Sequence, residues 1–215
     1  MPVLSYAVLA VAAYLLGSIP TGYLAGRAKG IDIRTVGSGN VGATNVSRAL
    51  GKTAGALVLV VDVLKGYAAC IWLSDTALGL MKLPANDAEL CRIVAGTAAV
   101  LGHDFTCWLK FKGGKGIATS AGVFFALAPL ALGIALGVWI VVFALSRYVS
   151  VASIAAAVAL PAAVWMLPPY NLLLGIATTV LGLLAIAKHK GNIERLLNGT
   201  ERRFGKKTAT SEATK

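Results

Sequence analysis

The chain has 215 residues, of which 57% are hydrophobic and only 13% charged, and its formal net charge is +11. This composition is too apolar for an ordinary soluble domain. Apolar stretches of roughly 17 to 25 residues recur along the chain, and this is the length that an α-helix needs to cross a membrane. Basic residues placed between such stretches indicate membrane topology rather than binding to nucleic acid. We therefore predict an all-α, polytopic integral membrane protein.

One membrane-embedded domain is predicted over residues 1–205. Its first apolar segment, residues 3–23, lacks the basic region and the cleavage site of a signal peptide and is interpreted as a retained span. Further spans are predicted at residues 54–73 and 91–109, and the polar tail at residues 206–215 is predicted to be disordered. The three cysteines show no metal-ligand spacing and are interpreted as packing residues.

The sign of the charges distinguishes the two membrane faces. Basic residues cluster in four segments, at residues 27–52, 110–115, 147 and from 188 onward. We expect these segments in the cytoplasm because positive loops are retained there. The mainly acidic residues 75–89 and a turn at Pro168-Pro169-Tyr170 are predicted on the outer face.

The apolar run at residues 117–145 is predicted to form two helices. One crossing would place Arg147 and the basic C-terminal segment outside, whereas two short helices that turn near Ala128-Pro129 keep both inside. Spans at residues 151–167 and 172–187 complete the prediction. The sum is about seven transmembrane helices, with the N-terminus outside and the C-terminus in the cytoplasm.

The first cytoplasmic motif is TVGSGNVGATNVSR at residues 35–48. Its glycines allow tight turns that expose N–H groups, and its polar side chains and arginine add donors and a permanent cation. A turn that only caps the next helix is the alternative, but the density of donors favours an anion-binding loop. The candidate residues are Ser38, Gly39, Asn40, Thr44, Asn45 and Arg48.

The second motif is GHDFTCWLKFKGGKGIAT at residues 102–119. Gly113, Gly114 and Gly116 surround Lys115 just before an apolar helix, which predicts a phosphate site with close backbone approach, free N–H groups and an ammonium. It is not a Walker A motif, because an Ile follows the last glycine where Ser or Thr is required.

The third motif is HKGNIERLLNGTERR at residues 189–203. In a helix, His189, Asn192 and Arg195 would lie on one face, because residues three or four positions apart are neighbours. His189 can bind phosphate as a cation or accept a proton as a neutral ring.

Two charged residues, Asp62 and Lys65, lie within a predicted span and are expected to pair with each other or to line a polar cavity. Intramembrane charge would also suit a membrane transporter of organic phosphates, which is the alternative function. Transporter sites, however, lie near the bilayer midplane and often between repeated halves, whereas here the motifs share one face and no repeat is visible.

The three motifs together resemble those of the acyl-phosphate:glycerol-3-phosphate acyltransferases, integral membrane enzymes of bacterial phospholipid synthesis. The stretches GSGN-x-GATN, FKGGKG-x-AT and H-x-x-NI-x-RL-x-x-G-x-E occur in the family's order, and the resemblance extends from Gly17 to Glu201. It implies acyl transfer from a long-chain acyl phosphate to the 1-hydroxyl of sn-glycerol 3-phosphate, which gives 1-acyl-glycerol 3-phosphate and inorganic phosphate. It also implies that the protein lies in the bacterial inner membrane, among membrane lipids, with its active site at the cytoplasmic face. Functional coupling to the enzyme that makes acyl phosphate is a further implication.

The resemblance assigns roles to individual residues. Catalytic roles are implied for Ser38, Arg48, Lys115, His189 and Asn192. Substrate binding is implied for Gly39, Asn40, Thr44, Asn45, Gly113, Gly114, Gly116, Ser150 and Arg195. Glu201 is expected to brace the site, whereas His103 and Asp104 receive no role, the latter being an acid where the family pattern has a less charged residue.

The expected reaction is direct attack by the glycerol hydroxyl, because acyl phosphate is already activated and needs no acyl-enzyme. Lys115 would stabilise charge on the phosphate and carbonyl oxygens. The proton acceptor is either His189 or a substrate phosphate of similar pKa. The sequence contains no metal, ATP or coenzyme A motif, so no cofactor is expected.

Overall fold

The computed structural model describes residues 2–169 and 171–205, and these residues form helices and connections without a strand. The helices are α1 (Pro2–Ser18), α2 (Thr21–Arg27), α3 (Ala43–Leu50), α4 (Lys52–Ala68), α5 (Ser74–Leu80), α6 (Ala88–Asp104), α7 (Ile117–Leu127), α8 (Pro129–Ser146), α9 (Val149–Met166), α10 (Leu172–Lys188) and α11 (Lys190–Leu197). The predicted disordered tail at residues 206–215 and Tyr170 of the predicted outer turn lie outside the described residues.

Several of these helices are long and apolar enough to cross a membrane. Four segments qualify on their own, namely Val3–Arg27, Lys52–Leu80, Pro129–Ser146 and Val149–Met166. The pair α10 and α11, bent by 50°, would be a fifth. The helices α6 and α7, with 17 and 11 residues, are shorter. The all-α class is therefore confirmed with four or five candidate spans, while the count of seven and the orientation stay predictions.

The break near Ala128-Pro129 is confirmed. Helix α7 ends at Leu127 and α8 begins at Pro129, where the missing proline N–H costs nothing because the first turn of a helix has no acceptor for it. The expectation of two short helices is only half right, since α8 has 18 residues and could cross by itself.

The predicted pairing of Asp62 with Lys65 is also confirmed. Lys65 Nζ lies 2.9 Å from Asp62 Oδ1, and both side chains are buried within α4 and its neighbours. The Thr21 hydroxyl, at the start of α2, donates a second hydrogen bond to the same carboxylate oxygen at 3.0 Å. Burial of either charge alone would be strongly unfavourable, so the two residues stay paired, and the Thr21 hydrogen bond joins this pair to the start of α2.

Glycines allow α4 and α7 to approach closely. A Cβ on Gly122 of α7 would overlap the Val63 carbonyl of α4, and a Cβ on Gly66 of α4 would overlap the Thr119 carbonyl of α7. Such small residues are what membrane helices use to bring backbones together, since lipid provides no hydrophobic drive for their association. The result is that the start of α7, which follows the second motif, is held firmly against α4.

We predict that Gly122→Ala destabilises the protein by about 1–3 kcal/mol, the usual range for overpacking a tight contact. The matched control is Gly133→Ala in α8, where a Cβ meets nothing within 4 Å. Thermal unfolding in detergent should show a lower midpoint for Gly122→Ala only. Equal midpoints for the two variants would contradict the close α4–α7 contact.

Candidate active site

The C-terminal end of α6 binds the loop of the second motif. The last carbonyls of a helix have no partner within it and need donors from elsewhere. The Gly114 N–H donates to the His103 carbonyl at 2.9 Å, and the Gly113 N–H donates to the Asp104 carbonyl at 3.1 Å. Lys188, the last residue of α10, donates to the Asp104 carbonyl at 2.7 Å. One helix end therefore positions the second motif and brings α10 beside it.

The glycines of this loop serve its packing. A Cβ on Gly113 would overlap the His103 carbonyl, and a Cβ on Gly114 would overlap the His103 ring. Gly116 has a φ of +73°, in the left-handed region that glycine adopts without strain. The expectation that Gly113 and Gly114 offer free N–H groups to an anion is therefore wrong, because α6 already accepts both hydrogen bonds.

Lys115 is the residue that this packing presents to the third motif. Its Nζ hydrogen-bonds Asn192 Oδ1 of α11, which joins the second motif directly to the third. Burial lowers the pKa of Lys115 to about 8; Glu201 opposes this shift, whereas Arg195 and Arg48 add to it. Lys115 thus lies within electrostatic range of two other cations and one acid.

Glu201 connects the third motif to α9. It accepts hydrogen bonds from Ser150 at 2.9 Å, from Asn192 at 2.7 Å and from Arg195 Nε at 2.7 Å. Burial raises the pKa of the Glu201 carboxyl, but these hydrogen bonds outweigh it and the net shift is downward. Glu201 is therefore an anion that holds Ser150, Asn192 and Arg195 around Lys115.

His189 lies at the bend between α10 and α11. Its Nδ1 is 2.7 Å from the Ala185 carbonyl, which can only accept, so Nδ1 carries the hydrogen and Nε2 of the neutral ring is an acceptor. Burial, with a contribution from Lys115, lowers the pKa of His189 to about 4. The ring is therefore neutral at pH 7.

The first motif reaches this cluster through Arg48. Its guanidinium, at the end of α3, donates to the Arg202 carbonyl at 3.4 Å, one residue beyond Glu201. The same guanidinium lies close enough to affect the pKa of Lys115. Arg48 is therefore the part of the first motif that the structure brings to the other two.

Asn45 has a different role from the predicted one. Its Oδ1 accepts the Ser38 N–H at 2.9 Å, and its Nδ2 donates to the carbonyls of Ile33 at 3.2 Å and Val36 at 3.0 Å. The side chain is buried, and both hydrogens of its amide have acceptors within the loop. Asn45 supports the loop from inside instead of offering its amide to a substrate.

The remaining residues of the first motif lie nearer the surface. Asn40 Oδ1 accepts the Gly42 N–H at 2.8 Å, which stabilises the turn, and Gly39 adopts a φ of +70°. Ser38 is exposed and Thr44 is half-buried. Within residues 2–169 and 171–205, no side-chain hydrogen bond joins these four positions to the other two motifs.

An apolar cavity of about 100 Å³ lies between α7, α8, α9 and α10. Its lining includes Ile117, Phe124, Trp139, Leu160, Leu181 and Ala185. It adjoins the polar cluster, because Ile117 lies two residues after Lys115 and the Ala185 carbonyl binds His189. The arrangement therefore combines cations at a helix end with an apolar space beside them.

Comparison with known proteins identifies similar chains over nearly the whole length. Residues 7–199 match the family described as glycerol-3-phosphate acyltransferase. The glycerol-3-phosphate acyltransferase of Geobacter sulfurreducens is 46% identical over 197 residues, covering 92% of this chain and 96% of the relative. That of Synechococcus sp. (strain JA-3-3Ab) is 49% identical over 212 residues, covering 97% and 98%.

Solved structures give the same result. The crystal structure of PlsY (YgiH), an integral membrane glycerol 3-phosphate acyltransferase, in its glycerol 3-phosphate form has a TM-score of 0.83 and 42% identity to this chain, covering 94% of this chain and 96% of that one. The lysophosphatidic acid form has a TM-score of 0.80 and 41% identity, with the same coverage.

We predict that Glu201→Gln destabilises the protein by about 1.5–3 kcal/mol, because a hydrogen bond to a charged group is lost at Arg195. Ser150→Ala removes one of three donors to the same carboxylate and leaves the charge and the Arg195 ion pair in place, so its cost should be smaller, about 1 kcal/mol. The control is Glu194→Gln, an exposed acid on α11. Thermal unfolding in detergent that ranks the three variants in any other order would contradict the bracing role of Glu201.

Proposed function

The chain belongs to the glycerol-3-phosphate acyltransferase family, and from this premise we propose that it transfers an acyl group from acyl phosphate to the 1-hydroxyl of sn-glycerol 3-phosphate. The products are 1-acyl-glycerol 3-phosphate, which is lysophosphatidate, and inorganic phosphate. The observation that carries the proposal is the cluster of Lys115, Asn192 and Glu201, which joins two motifs beside an apolar cavity. Such a site suits substrates that pair an anionic phosphate with an apolar chain.

Phosphate binding is assigned to the cations. Lys115 hydrogen-bonds the neutral Asn192 amide in this structure, and a substrate phosphate offers it a charged and therefore stronger acceptor. Arg48 and Arg195 lie within electrostatic range of the same ammonium. An anion among three mutually repelling cations relieves that repulsion, which favours binding of glycerol 3-phosphate. Ser38, an exposed residue of the same motif as Arg48, is assigned to add its hydroxyl to the bound substrate.

The chemical step needs little from the protein beyond position and charge. Acyl phosphate is a mixed anhydride with phosphate as its leaving group, so the glycerol hydroxyl can attack the acyl carbonyl directly. Lys115 neutralises charge that develops on the departing phosphate and on the carbonyl oxygen. The acyl chain occupies the cavity beside Ile117 and continues into lipid, which spares it contact with water.

The proton of the attacking hydroxyl passes to a substrate phosphate. His189 presents Nε2 as an acceptor and can orient the hydroxyl, but a ring whose pKa is about 4 is a poor base. The second pKa of a phosphate monoester is about 6, so the phosphate dianion binds a proton more tightly than this histidine does. His189 thus acts as a hydrogen-bond acceptor that aligns the nucleophile.

The proposed topology has seven crossings, made by α1 with α2, α4 with α5, and then α6, α7, α8, α9 and α10. Contacts between the basic connections support it, since Lys115 binds Asn192, Ser150 binds Glu201 and Arg48 binds the Arg202 carbonyl. These contacts group the connections at one end of the helices. The positive-inside rule assigns that end to the cytoplasmic face of the bacterial inner membrane, where an enzyme that makes acyl phosphate can deliver its product.

This grouping at one end also disfavours the transporter alternative, whose site would lie near the midplane. The experiment that separates the two uses purified protein with palmitoyl phosphate and labelled glycerol 3-phosphate. We expect lysophosphatidate and phosphate in equal amounts. Uptake of glycerol 3-phosphate into proteoliposomes without product would contradict the proposal, and use of palmitoyl-coenzyme A in place of palmitoyl phosphate would overturn the assigned donor.

We predict that Lys115→Ala lowers kcat/KM by about 100-fold or more, the usual loss when a group that stabilises transition-state charge is removed. The matched control is Lys112→Ala, an exposed lysine three residues earlier in the same loop. It should retain nearly normal turnover in the same assay. Similar losses in both variants would show a general effect of positive charge instead of a specific role for Lys115.

We predict that kcat/KM for glycerol 3-phosphate falls as the pH rises through about 8, where the Lys115 ammonium loses its proton. The substrate is a dianion throughout this range because its second pKa is about 6, so the fall reports the enzyme. Lys115→Arg keeps its charge and should abolish the fall between pH 7 and 9.5 even if its activity is lower. A wild-type profile that is flat over this range would contradict the prediction.

A further inference from the structure

We infer that His103 is a positioning residue for this reaction, because its ring is held by Lys65 and supports the loop that carries Lys115. The inference rests on the role proposed for Lys115. His103 is the next-to-last residue of α6 and is buried, so it is not expected to touch a substrate. Its effect would pass through the backbone of Gly114.

Three hydrogen bonds fix the Lys65 ammonium. Its Nζ lies 2.9 Å from Asp62 Oδ1, 3.0 Å from the Ile19 carbonyl and 2.9 Å from His103 Nδ1. An ammonium has three donors and no acceptor, so all its donors are used and Nδ1 of His103 must accept. The neutral His103 ring therefore carries its hydrogen on Nε2, and its orientation is set by a buried ion pair.

The opposite edge of the ring lies against Gly114. A Cβ on Gly114 would overlap His103 Nε2, and it would lie 2.7 Å from Cε1 and 2.8 Å from Cδ2. The Gly114 N–H also donates to the His103 carbonyl at 2.9 Å. Both the backbone and the side chain of His103 thus contact the residue that directly precedes Lys115.

These contacts form a continuous path from the membrane-embedded pair to the site. Asp62 and Lys65 belong to α4, His103 to α6 and Gly114 to the loop before α7. If the ring rotated or were lost, Gly114 would gain space on its ring side, and the Lys115 ammonium would no longer be held opposite Asn192. A shift of about 1 Å at such a group is enough to slow a reaction about 100-fold.

The test uses the overlap between Gly114 and the ring. Gly114→Ala should lower kcat/KM strongly, since its Cβ displaces the ring, while its backbone does not lie in the left-handed region that would itself forbid alanine. Adding His103→Ala makes room for that Cβ. We expect the double variant to recover about tenfold in kcat/KM relative to Gly114→Ala, within the range of coupling energies for residues in contact.

The matched control is Gly113→Ala. A Cβ there would meet the backbone of His103 and Asp104, which no side-chain substitution can move. His103→Ala should therefore rescue Gly114→Ala and leave Gly113→Ala unimproved. If neither glycine variant is rescued, or both are rescued equally, the ring does not position Gly114 and the inference fails.

A second variant at position 103 tests whether the results for His103→Ala reflect a failure to fold. His103→Asn removes the ring atoms nearest Gly114 while its oxygen can still accept from Lys65, so the ammonium keeps a partner. The same rescue is expected in this background. Binding of glycerol 3-phosphate, measured by calorimetry on the same variants, should recover in parallel.

These outcomes separate the inference from the proposed function. Wild-type transfer from palmitoyl phosphate and its loss in Lys115→Ala decide the proposed function. An active wild-type enzyme that depends on Lys115, with no coupling between positions 103 and 114 in either turnover or binding, would overturn the positioning role alone. Coupling seen in binding but not in turnover would confine the role of His103 to substrate capture and contradict its effect on the reaction.

Discussion

The structure depends on how the C-terminal end of α6 satisfies its carbonyl groups. A buried carbonyl without a partner costs several kcal/mol in a membrane setting, so this helix end must find donors. Besides the loop glycines and Lys188, it uses the Tyr14 hydroxyl, 2.5 Å from the Phe105 carbonyl, and the Ser18 hydroxyl, 3.2 Å from the Gly102 carbonyl. Segments from α1, the second motif and α10 therefore meet at one helix end, and the site forms there.

Electrostatics then determines what the site can bind. Arg48, Lys115 and Arg195 come close together, and Glu201 is the acid that interacts with this group. Because three cations face one carboxylate, the region retains an excess of positive charge that an anionic substrate can neutralise. The same residues connect α3, α9 and α11, so binding of a phosphate would also strengthen contacts between separate helices.

The sequence was sufficient for features that depend on local pattern. Hydropathy predicted the four or five helices that are long and apolar enough to cross a membrane. The parity of the basic segments, together with Pro129, predicted the break before α8, and the cost of a lone buried charge predicted the Asp62–Lys65 pair. These predictions succeeded because each follows from a rule about a short stretch of chain or about its charges.

The sequence was insufficient where one residue type suits two roles. Gly113 and Asn45 would suit an anion-binding loop and a packed loop equally well. The structure shows that the Gly113 N–H donates to a carbonyl of α6 and that the Asn45 amide donates to a carbonyl in the loop after α2, so both residues serve packing. The link between Glu201 and Ser150 spans 51 positions, and no spacing rule predicts such a contact. His103 belongs to the second motif, but the functional interpretation of that motif rested on its glycines and its lysine. Gly114, which lies against the His103 ring in the structure, was the sequence signal of close packing.

The phosphate of glycerol 3-phosphate is proposed to bind where the second and third motifs meet. The most direct measurement is a crystal structure of this chain with glycerol 3-phosphate bound. We expect phosphate oxygens within hydrogen-bonding distance of Lys115 Nζ and near the Arg48 guanidinium, with the 1-hydroxyl facing His189 Nε2. A phosphate bound away from Lys115, with the Lys115–Asn192 hydrogen bond intact, would contradict it.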